Sequence, residues 1–186
     1  IFYMKKILLL IAILLGAMSA NAQFAKMKQD FSLNHTDFKD SGLKIIGELG
    51  VGVDWCSIKY FGTAFGLIAP DLDISLGTHV LPQLFVGGGL GYNVLCGVSD
   101  LSGGTGHELK LFAHGRYYFS PAGQSAIVDL KLGYKRNFSG ESNAFDLFIG
   151  PGYMFNNKYA VALGYSGSFY NDSSLHGIAA KFSVEF

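Results

Sequence analysis

Apolar residues fall at every second position through eight stretches of this chain, the spacing of extended strands whose two faces meet different surroundings. The last stretch shows the pattern most cleanly. Ile178, Ala180, Phe182, Val184 and Phe186 share one face, while Gly177, Ala179, Lys181, Ser183 and Glu185 share the other. Upstream, Leu43, Ile45, Leu49, Val51 and Val53 alternate with Lys44, Glu48 and Asp54, and Leu72, Ile74, Leu76 and Val80 alternate with Asp73, Ser75 and His79. The third stretch sets Leu84, Val86, Leu90 and Tyr92 against Phe85, Gly87, Gly89 and Gly91. The fourth sets Leu109, Leu111 and Tyr117 against Glu108, Lys110, His114 and Arg116, and the fifth sets Val128, Leu130, Leu132 and Tyr134 against Asp129, Lys131 and Lys135. Phe145, Leu147 and Ile149 oppose Asp146 and Phe148 in the sixth, and Tyr159, Val161, Leu163 and Tyr165 oppose alanines, glycine and serine in the seventh.

The joins alternate as well. "PQ", "SPAGQS" and "NNK" are short, whereas "WCSIKYFGTAFGLIAP", "LCGVSDLSGGTG", "NFSGESN" and "YNDSSL" are longer on average. Short turns at one end and longer loops at the other belong to an up-and-down meander that spans a membrane. A soluble sandwich also alternates, so the residues on each face must decide the solvent. Aromatics on the apolar face gather near the strand ends: Tyr117, Phe119, Tyr153, Phe155, Tyr159 and Phe186 at the short-turn end, Tyr92, Tyr134, Phe145, Tyr165 and Phe169 at the loop end. Two such rings match the interfacial girdles of a membrane barrel. The apolar faces so assigned carry no Asp, Glu, Lys or Arg. In hydrocarbon an open sheet edge leaves backbone groups unpaired, so the first strand must meet the last. The predicted fold is therefore all-β, an eight-stranded antiparallel up-and-down transmembrane β-barrel over residues 42–186, and the chain stops on Phe186 because its last strand seals the cylinder.

The opening changes the picture by assigning a route. Lys5 and Lys6, the apolar run from Ile7 to about Ala17, and the small residues Ala20 and Ala22 have the layout of a secretory signal peptide cut after Ala22. Residues 1–22 are read as that signal, with Ile1 to Tyr3 upstream of the expected initiator Met4, and residues 23–41 as a periplasmic lead-in. A formal net charge of +0 with 15% charged residues lacks the basic surplus that nucleic acid requires. Cys56 and Cys96 enter an oxidising compartment either bridged or as two separate thiols.

The "ANAQ" cleavage site, the "LFVGGGLGYN" strand after a two-residue turn and the final "GIAAKFSVEF" together resemble the small eight-stranded outer-membrane β-barrel proteins of Bacteroidota, akin to the OmpA transmembrane domain and OmpX of the porin family. The resemblance implies a bacterial outer-membrane location and a terminal strand read by the outer-membrane insertion machinery, with Phe182, Val184 and Phe186 as its signal. No peptidoglycan-tethering domain is expected after that strand.

Candidate chemistry is sparse. The run "VGGGLG" departs from the phosphate-loop spacing and continues as strand; its inward glycines are expected to make room for large side chains opposite. An eight-stranded barrel is about wide enough for side chains to fill. Glu48, Asp73, Lys110, His114, Arg116, Asp129, Lys131, Asp146, Lys181 and Glu185 are accordingly expected to form a paired lumen network, with a narrow porin passing small solutes as the alternative. No catalytic, cofactor or metal residues are assigned, and an enzyme is not expected; a lipid- or peptide-modifying activity is kept as the remote alternative. Trp55, Tyr60, Phe61 and Phe65 crowd the first loop, either because the flanking strands extend or because the loop presents a contact surface for a ligand. The expected partners are outer-membrane lipid and the insertion machinery, for a protein acting as a monomer.

Overall fold

The computed structural model describes residues 42–58, 62–97, 105–120, 124–138, 142–171 and 173–186. The predicted signal peptide and lead-in lie outside them. Eight antiparallel strands follow one another: β1 (Leu43–Ile58), β2 (Gly62–Leu81), β3 (Leu84–Gly97), β4 (Thr105–Tyr118), β5 (Ser125–Asn137), β6 (Ser142–Phe155), β7 (Tyr159–Phe169) and β8 (Ser173–Glu185). Each pairs with its neighbour in sequence, and β8 returns to β1 to close the barrel. The seam runs from Ile46 opposite Glu185 to Ile58 opposite Ser173. It is finished by Phe186, whose N–H donates to the Ile45 carbonyl at 2.8 Å while the Ile45 N–H donates back at 3.1 Å. No free edge is left between these two strands, as a sheet in hydrocarbon requires.

The alternation carries over onto the two faces. Leu43, Leu49, Leu111, Leu163 and Phe186 are among the most exposed apolar side chains, and each points away from the lumen. Among the described residues, Arg136 and Lys158 are the exposed charged ones. Arg136 corrects the expectation of an outer face without charge. It continues the outward face of Leu132 and Tyr134 at the loop end of β5, where a guanidinium meets water and headgroups instead of acyl chains.

At the first loop the flanking strands extend, the first of the two readings its aromatic residues allowed. The predicted first loop began at Trp55 and ended at Pro70, yet β1 continues to Ile58 and β2 begins at Gly62. The ladder continues through this stretch, shifting at a bulge between Trp55 and Ser57. Trp55 is thus an outward strand residue, 42% exposed. Tyr60, Phe61 and the side chain of Phe65 lie outside the described residues. At 20 residues, β2 is about twice the roughly 9–11 needed to cross a bilayer.

Two prolines mark breaks in single ladders. Pro70 pairs with Val51 on β1, but no rung joins β2 to β3 between Ile68 and Asp71. Pro151 pairs with Val128 on β5, and the β6–β7 ladder skips from Ile149 to Gly152. A residue with no N–H can serve one neighbouring strand and not the other.

Inside, large rings lie over the glycines of β3. A Cβ on Gly89 would come 2.5 Å from the Phe112 ring, and one on Gly87 would come 2.9 Å from the Phe85 ring. Gly89→Ala is therefore expected to destabilise the barrel by about 1–3 kcal/mol through overpacking, read as a lower urea midpoint in detergent.

Candidate functional site

The lumen is built from inward positions of all eight strands, and its layers follow from depth along each strand. At the turn end Ile46, Phe85, Tyr118, Ile127, Met154 and Ala160 form an apolar plug. At the loop end Ala69, Leu95 and Leu175 form a second cluster, with Leu67 and Tyr170 against it. Between them lie most of the charged side chains of the lumen. Charges in such a space are tolerated only in pairs.

The pairs run across the lumen as well as along the sheet. Arg116 of β4 lays its Nε and Nη2 on the two oxygens of Asp129 at 2.8 and 2.7 Å, and the same Nη2 reaches Glu48 of β1 at 3.1 Å. Such a fork on a carboxylate fixes geometry as well as charge. Lys131 bridges Glu48 and Asp73, the latter at 2.8 Å. Lys110 holds Asp71 at 2.9 Å and Asp73 at 2.8 Å, and Lys181 of β8 reaches Asp71 and, at 3.2 Å, Asp73. His114 stands between Asp129 at 3.0 Å and Ser75 at 2.9 Å, hydrogen-bonded to both.

The ten residues read from sequence do not form one network. Glu48, Asp73, Lys110, His114, Arg116, Asp129, Lys131 and Lys181 meet in this central node. Asp146 belongs to a separate group nearer the loops, where Lys135 bridges Glu108 at 2.8 Å and Asp146 at 3.3 Å, and Ser168 donates to Asp146 at 3.1 Å. Glu108 also accepts from Tyr170 and from Asn137 at 3.3 Å. Glu185 sits at the turn end, where the Tyr118 hydroxyl donates to it at 2.7 Å and His79 lies 3.7 Å away. Asp71, Glu108, Tyr118, Lys135 and Tyr170 also take part although none is among the ten; inward parity already turned all of them but Tyr170 toward the lumen. Asp71 shares the inward parity of Asp73, a signal that was there to use; Tyr170 lies beyond the end of β7, where alternation gives no guide.

Two arrangements resemble sites without having room for one. Glu48, His114 and Asp129 bring metal-type donor atoms within 4.8 Å of one another, but Arg116, Lys131 and Ser75 already engage these three side chains. Ser75, His114 and Asp129 also follow a nucleophile–base–acid order, yet all are at most 1% exposed. One polar cavity of about 20 Å³ opens among the described lumen residues, lined by Asp54, Asp71, Asn93, Lys110, Asp146 and Lys181 among others. That is room for roughly one water molecule.

The outer face carries its own chemistry at the loop end. Tyr92 hydrogen-bonds His107 at 2.6 Å with the rings stacked, and Tyr165 hydrogen-bonds His176 at 2.5 Å. Phe145 and Phe169 are neighbours across β6 and β7. At the turn end Tyr153 meets Phe155 at 4.9 Å, and Phe182 stacks on Tyr159 at 6.1 Å. Lys158 stands over the rings of Tyr159 and Phe186. Of the terminal triplet, Phe182 and Phe186 are exposed and Val184 half-buried, all on the outer side of β8. Cys96 is a free thiol, and the side chain of Cys56 lies outside the described residues.

A closed eight-stranded cylinder of this kind recurs among known proteins. The chain is similar in fold to Neisserial surface protein A. The likeness has a TM-score of 0.55 at 13% identity and covers 78% of this chain and 99% of that one. Ail, the attachment invasion locus protein of Yersinia pestis, matches with a TM-score of 0.54 at 11% identity, over 79% of this chain and 100% of that one. The outer membrane enzyme PagL matches with a TM-score of 0.52 at 12% identity, over 74% and 98%. No family model matches the chain, and no curated protein matches it in sequence. At these identities the likeness is one of fold, and the fold is the eight-stranded barrel.

Proposed function

We propose that this chain is an integral protein of a bacterial outer membrane, its lumen closed by its own side chains, with a role in envelope structure or surface contact. The observation that carries the reading is the pairing of an outward apolar band with a lumen blocked at three depths. The turn-end plug, the central ion-pair node and the loop-end cluster fill successive layers of the lumen, and the polar cavity next to Asp71 and Lys181 holds about 20 Å³. In this reading the short turns face the periplasm, the long strands β1 and β2 stand out from the cell, and Trp55 belongs to the surface they raise. Phe182, Val184 and Phe186 serve as the signal for the insertion machinery, and the barrel acts as a monomer in outer-membrane lipid.

The purified full chain, reconstituted in a planar bilayer, is expected to give no steady open-channel current. Regular unitary steps with ordinary salt would sink the closed-lumen reading and support a narrow porin instead.

A further inference from the structure

Beside the Tyr165–His176 bond lies a serine. Ser174 and His176 stand two residues apart on β8, so both project from the outer face, and the Ser174 hydroxyl lies 2.8 Å from His176 Nε2. The Tyr165 hydroxyl lies 2.5 Å from the other ring nitrogen, Nδ1. A nucleophile, a base and a group that orients the base are thus joined in one relay.

The surroundings favour its use. Gly167 is the register partner of His176 on β7, and a Cβ there would lie 2.9 Å from the Tyr165 hydroxyl. Its missing side chain lets the phenol lean over the strand to the imidazole. Phe169 packs its ring edge-on to His176 at 5.5 Å, and Trp55 faces His176 across the β1–β8 seam. Ser174 and His176 are half-buried, unlike the sealed Ser75–His114 pair of the lumen. The relay lies at the level of Tyr165 and Phe169, in the loop-end aromatic girdle, and such girdles mark the boundary between acyl chains and headgroups. Ester carbonyls of lipids lie at that boundary.

We propose that Ser174, His176 and Tyr165 form an acyl-transfer site that hydrolyses ester bonds of membrane lipids, a proposal that rests on the membrane-barrel reading above. Ser174 Oγ attacks the ester carbonyl carbon as its proton passes to His176 Nε2. The bond from that carbon to the alcohol oxygen breaks, and the alcohol leaves with the proton. Water then attacks the acyl-serine and gives a proton to Nε2; the bond to Ser174 breaks, its oxygen regains that proton, and a fatty acid is released. Tyr165 is a positioning residue. Its oxygen accepts a hydrogen bond from Nδ1–H, which leaves the Nε2 lone pair directed at Ser174.

The test uses the full chain refolded into vesicles of diacyl phosphatidylcholine carrying a labelled acyl ester, with free fatty acid measured and heat-dependent gel mobility reporting the folded barrel. The folded protein is expected to release fatty acid, and Ser174→Ala and His176→Ala to lower the rate by about 100-fold or more. Tyr165→Phe and Gly167→Ala are expected to lower kcat/KM less and to shift its pH profile, which a purely structural tyrosine would not do. A folded barrel that releases no fatty acid, or a Ser174→Ala variant as active as the parent, would overturn the site. Failure of every sample to show the folded-barrel mobility would overturn the membrane-barrel reading, and the site with it.

Discussion

Replacing Arg116 with Met is expected to lower the stability of the barrel by about 3–5 kcal/mol, the range for removing one partner of a buried ion pair. Arg116 is 1% exposed and serves two carboxylates at once, Asp129 through both of its oxygens and Glu48 through one. Methionine fills part of the volume but leaves Asp129 to His114 and Glu48 to Lys131. The burden falls on Asp129, which is fully buried. Urea unfolding in detergent or in vesicles measures the loss. The double variant Arg116→Met with Asp129→Leu is expected to regain much of it, because neither half of the fork is then left alone. If the double variant is as unstable as the sum of its two singles, the pairing is not what holds this layer together.

The second large effect lies on the opposite face. Leu163 is 60% exposed on β7, flanked along its strand by Tyr159 toward the turns and Tyr165 toward the loops. It therefore sits between the two girdles. Leu163→Arg is expected to cost about 2–4 kcal/mol in a bilayer, the range for a cation facing lipid near mid-depth. Arg136→Leu, at the loop-end rim, is expected to change stability by no more than about 1 kcal/mol. Folding titrations into vesicles compare the two directly. Equal effects from both would mean that the outer face does not meet a membrane with these two boundaries.

These two experiments also divide what alternation revealed from what it concealed. The outward positions were legible because hydrocarbon penalises every misplaced charge, so parity holds along each strand with Arg136 as the exception at its rim. The strand limits at the loop end were legible only as a choice between longer strands and a contact loop. Beyond the bilayer a ladder rests on backbone hydrogen bonds, which leave little trace in side-chain type; hence the limits of β2, which reaches back to Gly62, could not be drawn although its aromatic residues allowed the extension. Pro70 was misleading for the same reason, since a proline within a strand needs only one of its two neighbours to forgo a donor.

The inward charges were legible as a set but not as partners. Parity sends Glu48, Asp73, Lys110, Arg116, Lys131 and Lys181 into the lumen, and neutrality over so narrow a space demands that they pair. Which meets which depends on how far each strand is staggered when the sheet closes, a property of no single stretch of chain. The sequence alone determined the two faces, the number of strands and the closing role of Phe186, because a period of two is imposed locally by solvent on either side of one strand. Only the tertiary structure decided that Lys131 bridges β5 to β1 and β2, that Glu185 and Asp146 stand apart from the central node, and that Tyr165 leans across Gly167 to His176. The Lys131 and Glu185 contacts join residues far apart in sequence and need the sheet to curve round on itself, whereas the Asp146 and Tyr165 contacts lie within neighbouring strand pairs and depend on how far each side chain leans.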